Sequence, residues 1–290
     1  MSRPISLQTW KTLDLLRTTT QYFEGRQVGA ARLAAERLLA HVLACKRVDL
    51  YLAAERVLEA GEIASYRELV RSYAAGVPLQ YLVGETEFMG YVLRTDARAL
   101  IPRPDTEILV EALAKRLGAA AAPTRVLELG SGCGAIAVAL AKLLPRAEVW
   151  STEIRTEAAT LARENCKRHG LEQRLHVAVM DGFAAVAPDL EGSFDAVVSN
   201  PPYVRTEELP ALVREHEPLT ALDGGADGLR FHRLLCGEGL RFLAARGTLA
   251  VEIGADQGAA VQELFRGAGL RDVTLLRDYA GHDRVVLGRR

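Results

Sequence analysis

Apolar positions in the first quarter of the chain recur with a helical period. Ile63, Tyr66, Val70 and Tyr73 fall at i, i+3, i+7 and i+10, one face of a helix, and Ala31, Ala34, Leu38 and Val42 form a second stripe. Gly29 and Gly61 punctuate these segments, and no strand-like alternation interrupts them. Residues 6–76 therefore predict a small helical bundle with its own core. His41 lies beside the apolar face and reads as a satisfied core histidine rather than a ligand. The period changes at Pro78. Leu79, Tyr81 and Val83, then Phe88, Tyr91 and Leu93, suit short strands around Gly84 and Gly90, a β-hairpin joint. Asp105 or Thr106 can cap a helix running through Ile108, Leu109 and Leu113.

Beyond that helix, strand and helix patterns alternate. Strands are expected over 125–129, 148–152, 175–179, 194–199 and 248–253, with a last pair at 273–276 and 285–287. Helices are expected over 135–144, 157–169, 229–245 and 257–267. Such alternation predicts an α/β fold, a parallel sheet covered by helices on both faces. The expected organisation is a helical domain over 1–76, a hairpin linker over 77–100 and an α/β domain over 101–290.

Composition narrows the class. A chain of 290 residues that is 49% hydrophobic and 25% charged fits one large or two unequal globular domains. The formal net charge of −1 argues against a protein that grips a long stretch of nucleic acid. Residues 1–4, Met-Ser-Arg-Pro, lead into no apolar signal segment, and no stretch is apolar enough to span a membrane, so a cytoplasmic protein is expected. Cys45, Cys133, Cys166 and Cys236 lack metal-ligand spacing and read as fillers in a reducing compartment, and no metal is expected.

The chemistry collects at the ends of the expected strands. Gly130-Ser131-Gly132-Cys133-Gly134 makes a glycine-rich turn between the first strand and its helix, where a ligand can approach the backbone closely. Glu153 ends the next strand, about 20 residues on, where a carboxylate can hold both ribose hydroxyls. Asp181 follows the third strand and can accept from an exocyclic adenine amine. The turn departs from the dinucleotide pattern and no phosphate-binding lysine accompanies it, so an adenosine ligand without phosphates fits better.

The fourth strand stops at Asn200-Pro201-Pro202-Tyr203, because neither proline can donate to a ladder. The Asn200 oxygen and the Pro201 carbonyl can each accept one hydrogen of a planar –NH2 group, and the Tyr203 ring can lie against it. This is a cradle for an amide or an exocyclic amine. Arg103, bracketed by Pro102 and Pro104, sits on a rigid segment that fixes where it points.

The Asn-Pro-Pro-Tyr stretch resembles the signature of S-adenosylmethionine-dependent methyltransferases acting on planar nitrogens. Nearly the whole chain resembles the HemK/PrmC family, the peptide chain release factor glutamine N5-methyltransferases. The resemblance is carried by residues 31–52, 78–84, Ile-Pro-Arg-Pro-Asp-Thr-Glu at 101–107, residues 129–137, Asn200 to Tyr203, residues 217–225 and residues 278–284. It implies a seven-stranded Rossmann-like class I methyltransferase domain behind a helical substrate-recognition domain. It implies S-adenosylmethionine as methyl donor and the glutamine of the Gly-Gly-Gln tip of class 1 release factors as substrate. Stable nucleic-acid binding is not implied.

By this resemblance Gly130, Ser131, Gly132, Cys133 and Gly134 fall on the cofactor loop and Glu153 on the ribose acid. Asp181 and Gly182 fall on the adenine edge, with Phe183 as the ring available beside it, and Asn200 adjoins the cofactor. Asn200, Pro201 and Tyr203 are the candidate catalytic residues, and Pro202 and Arg103 complete the candidate substrate site. Glu153 stands where the family more often has Asp. An adenine-N6 methyltransferase acting on DNA or RNA is the alternative, since an adenine amine fits the same cradle.

Overall fold

The computed structural model describes residues 9–118, 123–209 and 217–290. The expected start of the first helix at residue 6 and the N-terminal Met-Ser-Arg-Pro lie outside the described residues. The chain divides into two compact units at Gly84 and Glu85.

The first unit is all helical: α1 (Thr12–Glu24), α2 (Ala31–Val42), α3 (Arg47–Leu52), α4 (Ala60–Ala74) and α5 (Leu79–Val83). Leu15, Leu16, Phe23, Leu38, Leu39 and Tyr66 are buried in one core, and Ile63, Val70 and Tyr73 pack against it. The Tyr66 hydroxyl reaches inward and donates to the Ala35 carbonyl at 3.1 Å. Two expectations are corrected here. His41 is exposed, not a core histidine. It precedes Val42 on the stripe by one residue, a turn of about 100° away from the core. Residues 79–83 are a helical turn, not a strand. Leu79, Leu82 and Val83 lie at i, i+3 and i+4 and all pack on the helical core. The turn closes at Gly84, whose φ of 78° is left-handed.

The second unit opens with a hairpin, β1 (Glu85–Phe88) and β2 (Tyr91–Arg94), paired antiparallel. Its turn holds Met89 and Gly90 at φ 52° and 76°, the two positive values that suit a tight two-residue hairpin. Then follow α6 (Thr106–Gly118), β3 (Arg125–Leu129), α7 (Ala135–Leu143), β4 (Glu148–Glu153), α8 (Thr156–Arg168), β5 (Leu175–Val179) and β6 (Phe194–Ser199). The helical stretch from Arg230 to Phe242 contains a π-helical turn at Leu235–Gly239. It leads into β7 (Leu243–Glu252), a helix at Gly258–Gly267, β8 (Arg271–Arg277) and β9 (Asp283–Arg289).

The seven-stranded sheet has the order β5-β4-β3-β6-β7-β9-β8. β3 to β7 run parallel, but β9 is antiparallel to both neighbours, so the sheet is mixed rather than wholly parallel. The reason is local. β8 and β9 are joined by a short turn, which cannot accommodate a parallel crossover. Side chains alternate across the sheet. Val126 faces a core shared with α6, α7 and α8, whereas Leu127 and Leu129 face a second core with Phe242, Val261 and Phe265.

One buried amide ties three elements together. Asn165 on α8 donates to the carbonyls of Arg94 (2.9 Å) and Cys133 (2.8 Å), and accepts from the Arg94 N–H (2.7 Å). It thereby pins the end of β2 and the loop after β3 to the same helix. Asn165→Ala leaves these backbone groups unpaired inside the protein. We expect a loss of about 2–4 kcal/mol in urea unfolding. A loss below about 1 kcal/mol would show that the brace is replaceable.

Candidate functional site

The chain leaves β3 for β4 and β5 on one side, then returns to place β6 on the other side of β3. The carboxyl ends of β3 and β6 therefore flank a topological switch point, where open α/β sheets bind ligands. The Ser199 hydroxyl donates to the Leu129 carbonyl at 2.8 Å and locks the two ends together.

The glycine loop follows β3. Gly130 and Ser131 donate their N–H groups to the Thr152 carbonyl, and Gly132 donates to Glu153 Oε2 at 2.9 Å. Glu153 Oε1 accepts from the Arg155 N–H at 3.0 Å, so this carboxylate fixes the loop and its own turn together. Gly130 and Gly132 both have positive φ, which allows the tight path.

These residues line a cavity of about 400 Å³. Of the expected residues, Arg103, Gly130, Ser131, Gly132, Cys133, Glu153, Asp181, Gly182, Asn200, Pro201 and Pro202 are on its wall. Gly134, Phe183 and Tyr203 are not. Gly134 is the left-handed N-cap of α7, packed against Ala162. The Phe183 ring is buried in the second core, with its centroid 5.5 Å from that of Phe242. The aromatic residue on the wall, among the described residues, is Phe231, which the sequence reading did not pick out. Arg103 donates to both oxygens of Glu217 at 2.9 Å, so it clamps a carboxylate of its own chain from the cavity wall.

Glu128 was also missed. It is fully buried on the cavity wall, and burial pushes its carboxyl up to about 8, against the Ser151 hydrogen bond and with Glu153 pushing further upward. Its Oε1 and the Ser131 Oγ are buried without a hydrogen-bond partner. Burial likewise pushes the Cys133 thiol up to about 12, so it stays protonated.

At the end of β6, the Asn200 Nδ2 donates to Thr106 Oγ1 at 3.0 Å, reaching the first residue of α6. The Tyr203 hydroxyl donates to Glu252 Oε1 at 3.1 Å. The backbone here is gripped closely. Gly224 and Gly228 lie so near that an added Cβ would sit 2.8 Å from the Pro202 carbonyl oxygen and 2.4 Å from the Tyr203 carbonyl oxygen. Gln257 Nε2 donates to the Tyr203 carbonyl at 3.0 Å.

The switch-point cavity, the glycine loop and the mixed seven-stranded sheet define a Rossmann-like class I methyltransferase. Residues 104–216 match the methyltransferase small domain, and residues 14–84 match the PrmC N-terminal domain. A release factor glutamine methyltransferase from Geobacter sulfurreducens is 41% identical over 285 residues, spanning 97% of this chain and 98% of that protein. Another from Moorella thermoacetica is 42% identical over 262 residues, spanning 89% and 91%. A solved methyltransferase from Pyrococcus furiosus shares the fold with a TM-score of 0.51 at 19% identity, over 69% of this chain and 89% of that one. The chain belongs to the release factor glutamine methyltransferase family.

The buried acid gives a test that needs no substrate. An acid whose pKa is raised on folding holds its proton when folded and has lost it when unfolded, so stability falls as pH rises from the unfolded value toward about 8. Glu128→Gln removes that slope. Its unfolding free energy should rise relative to the parent by up to about 1.4 kcal/mol per pH unit between pH 5 and 8. Parallel urea curves at pH 5, 6, 7 and 8 measure this. Identical slopes would show that Glu128 is already ionised in the folded protein.

Proposed function

We propose that this chain transfers the methyl group of S-adenosylmethionine to the side-chain amide nitrogen, N5, of the glutamine in the Gly-Gly-Gln motif of a bacterial class 1 peptide chain release factor. Translation termination is the process it would modulate. The observation that carries the reading is the tethered amide of Asn200. Its –NH2 is committed to Thr106, so its oxygen is the end left to accept from a substrate –NH2 group.

The cavity fits the donor. Glu128, Glu153 and Asp181 are among the residues lining it, and these acids suit a cationic ligand carrying hydroxyls rather than phosphates. The unpartnered Glu128 Oε1 and Ser131 Oγ offer buried polar atoms to a charged amino group. Gly130, Ser131, Gly132 and Cys133 would hold the ligand against the loop backbone, Glu153 its ribose, and Asp181 and Gly182 its adenine edge. Bound there, S-adenosylmethionine supplies an electrophilic methyl group.

The residues of this chain do the positioning. A side-chain amide nitrogen is a poor nucleophile, because its lone pair is delocalised into the carbonyl. Asn200 Oδ1 and the Pro201 carbonyl would each accept one of its hydrogens, turning the lone pair out of conjugation. Pro201 and Pro202 keep this acceptor pair stiff, and the Tyr203 backbone anchors it from behind. In-line placement at about 3–3.5 Å supplies much of the remaining acceleration. The methylated nitrogen is acidic and can release its proton to water, so a dedicated base is not required. Catalysis of this kind is mostly orientation and preorganised polarity.

The helical unit is read as the part that grips the protein substrate, since one glutamine offers too little surface for specificity. No helix among the described residues is long and apolar enough to cross a membrane. A cytoplasmic site of action accords with a substrate that works on ribosomes.

Labelled S-adenosylmethionine offered with a release factor or with DNA, followed by mapping of the modified residue, tests the function. Label on the tip glutamine is expected. Label on adenine would favour the nucleic-acid alternative and overturn this reading. Asn200→Ala should fold normally and lower the single-turnover rate by about a hundredfold or more. A near-normal rate would remove Asn200 from the site. Glu153→Ala should weaken S-adenosylmethionine binding by about 1.5–3 kcal/mol in calorimetry, through its lost acceptor and its loosened loop. Unchanged affinity would exclude it from the donor site.

A further inference from the structure

A closed circuit of contacts includes the Asn200 cradle. The Asn200 –NH2 donates to Thr106 Oγ1 at 3.0 Å, and the Thr106 N–H donates to the Arg103 carbonyl at 3.1 Å. Arg103 Nη2 then donates to both carboxylate oxygens of Glu217 at 2.9 Å. From Glu217 the chain runs through a 3₁₀ turn at Leu219–Ala221 to Leu222, whose carbonyl accepts from the Val204 N–H at 3.0 Å. The Gly224 N–H donates to the Val204 carbonyl at 2.8 Å, and Val204 follows directly on Asn200 to Tyr203.

The strap 217–224 is therefore tied at both ends. Its far end is laced to Val204 by backbone bonds, which do not depend on side-chain identity. Its near end is held by the Arg103–Glu217 contact. The Glu217 side chain is 7% exposed against 42% for Arg103, so the carboxylate has been taken out of water and needs its cation. Between the two ends, Pro218 and Leu219 stand on the cavity wall with Asn200, Pro201 and Pro202. Leu219 remains 46% exposed there, an apolar side chain left open to whatever enters.

We infer that Arg103 and Glu217 are a positioning pair, which fixes the 217–224 strap as a firm wall beside the Asn200 cradle and so holds the substrate side chain in line. This rests on the methyl-transfer reading above and adds a wall to it. Two acceptors on an amide fix its nitrogen but leave its stem free to swing. A wall that does not yield removes that freedom before the reaction begins. Arg103 acts here through Glu217 and not by touching the substrate.

Amide hydrogen exchange reads the strap without any substrate. In Arg103→Ala and in Glu217→Ala the amides of Ala221, Leu222 and Gly224 should exchange faster, while β3 and β6 keep the parent's protection. Unchanged exchange in the strap, or faster exchange throughout the α/β unit, would overturn the inference. In single turnover on a release factor, each variant should lose about tenfold to a hundredfold in rate and need more release factor for half-saturation, with calorimetric affinity for S-adenosylmethionine retained. Arg103→Lys keeps the charge and should recover part of the rate. The double alanine variant should be no slower than the slower single one, since either change alone opens the circuit. An arginine that binds the substrate itself gives a different pattern: Glu217→Ala keeps the parent's rate, or the losses add in the double variant. Either result would overturn the inference, as would lost cofactor affinity. Glu217→Gln, which keeps the shape and drops the charge, carries the same comparison where an alanine variant fails to fold. A parent whose strap responds to the substitutions but which leaves the release factor unmethylated would keep the pair and refute the proposed substrate.

Discussion

The pairing of β3 with β6 is the constraint from which the site follows. Val126 lies opposite Ala196 and Glu128 opposite Val198, so two strands about 70 residues apart in sequence end side by side. The Ser199 hydroxyl on the Leu129 carbonyl then fixes the last step of each. One strand releases a loop of glycines and the other a pair of prolines. On the proposed function, the first would admit a ligand close to the backbone, and the second would hold acceptors out from a backbone that cannot fold over them. Neither loop has its meaning without the other, and the parallel ladder is what makes them neighbours.

Much of this was legible along the chain. The strand–helix alternation, the glycine loop, the acid ending β4 and the Asn-Pro-Pro-Tyr stop each declare themselves within a few residues. What stayed hidden depends on contacts between distant segments. Thr106 reads as a helix cap, and its role as partner of Asn200 spans 94 residues. Glu252 reads as one more acid at a strand end until the β6–β7 register sets it beside Asn200. Phe231 lies within a helix with no local mark of a cavity-lining residue, whereas Phe183, adjacent to the expected adenine edge, turns into the core. Residues 79–83 show how a short apolar run misleads: its spacing fits both periods, and packing on the helical core decides. The antiparallel β9 was likewise set by the length of the turn before it.

The polar groups around the site divide by exposure. Arg98 and Arg103 on the wall are each committed to carboxylates of this chain, Arg98 to Asp96 and Glu164, and Arg103 to Glu217. Their charges are thereby neutralised locally. Glu128 and Glu252 are different, because burial rather than pairing sets their state. Water is kept from both carboxyls, and each becomes sensitive to the charge of whatever occupies its neighbourhood. A cationic ligand entering beside Glu128 would draw its proton off, which would link ligand binding to proton release.

The backbone contact of Gly224 and Gly228 with the Pro202–Tyr203 segment has an evolutionary consequence. A side chain at either glycine would have to occupy space already filled by main-chain oxygen. Compensation by a second substitution is unavailable, since the clashing atoms are common to all residues. Such positions are fixed points in sequence space. A side chain at either position can be admitted only if the main chain of the Pro202–Tyr203 segment itself moves.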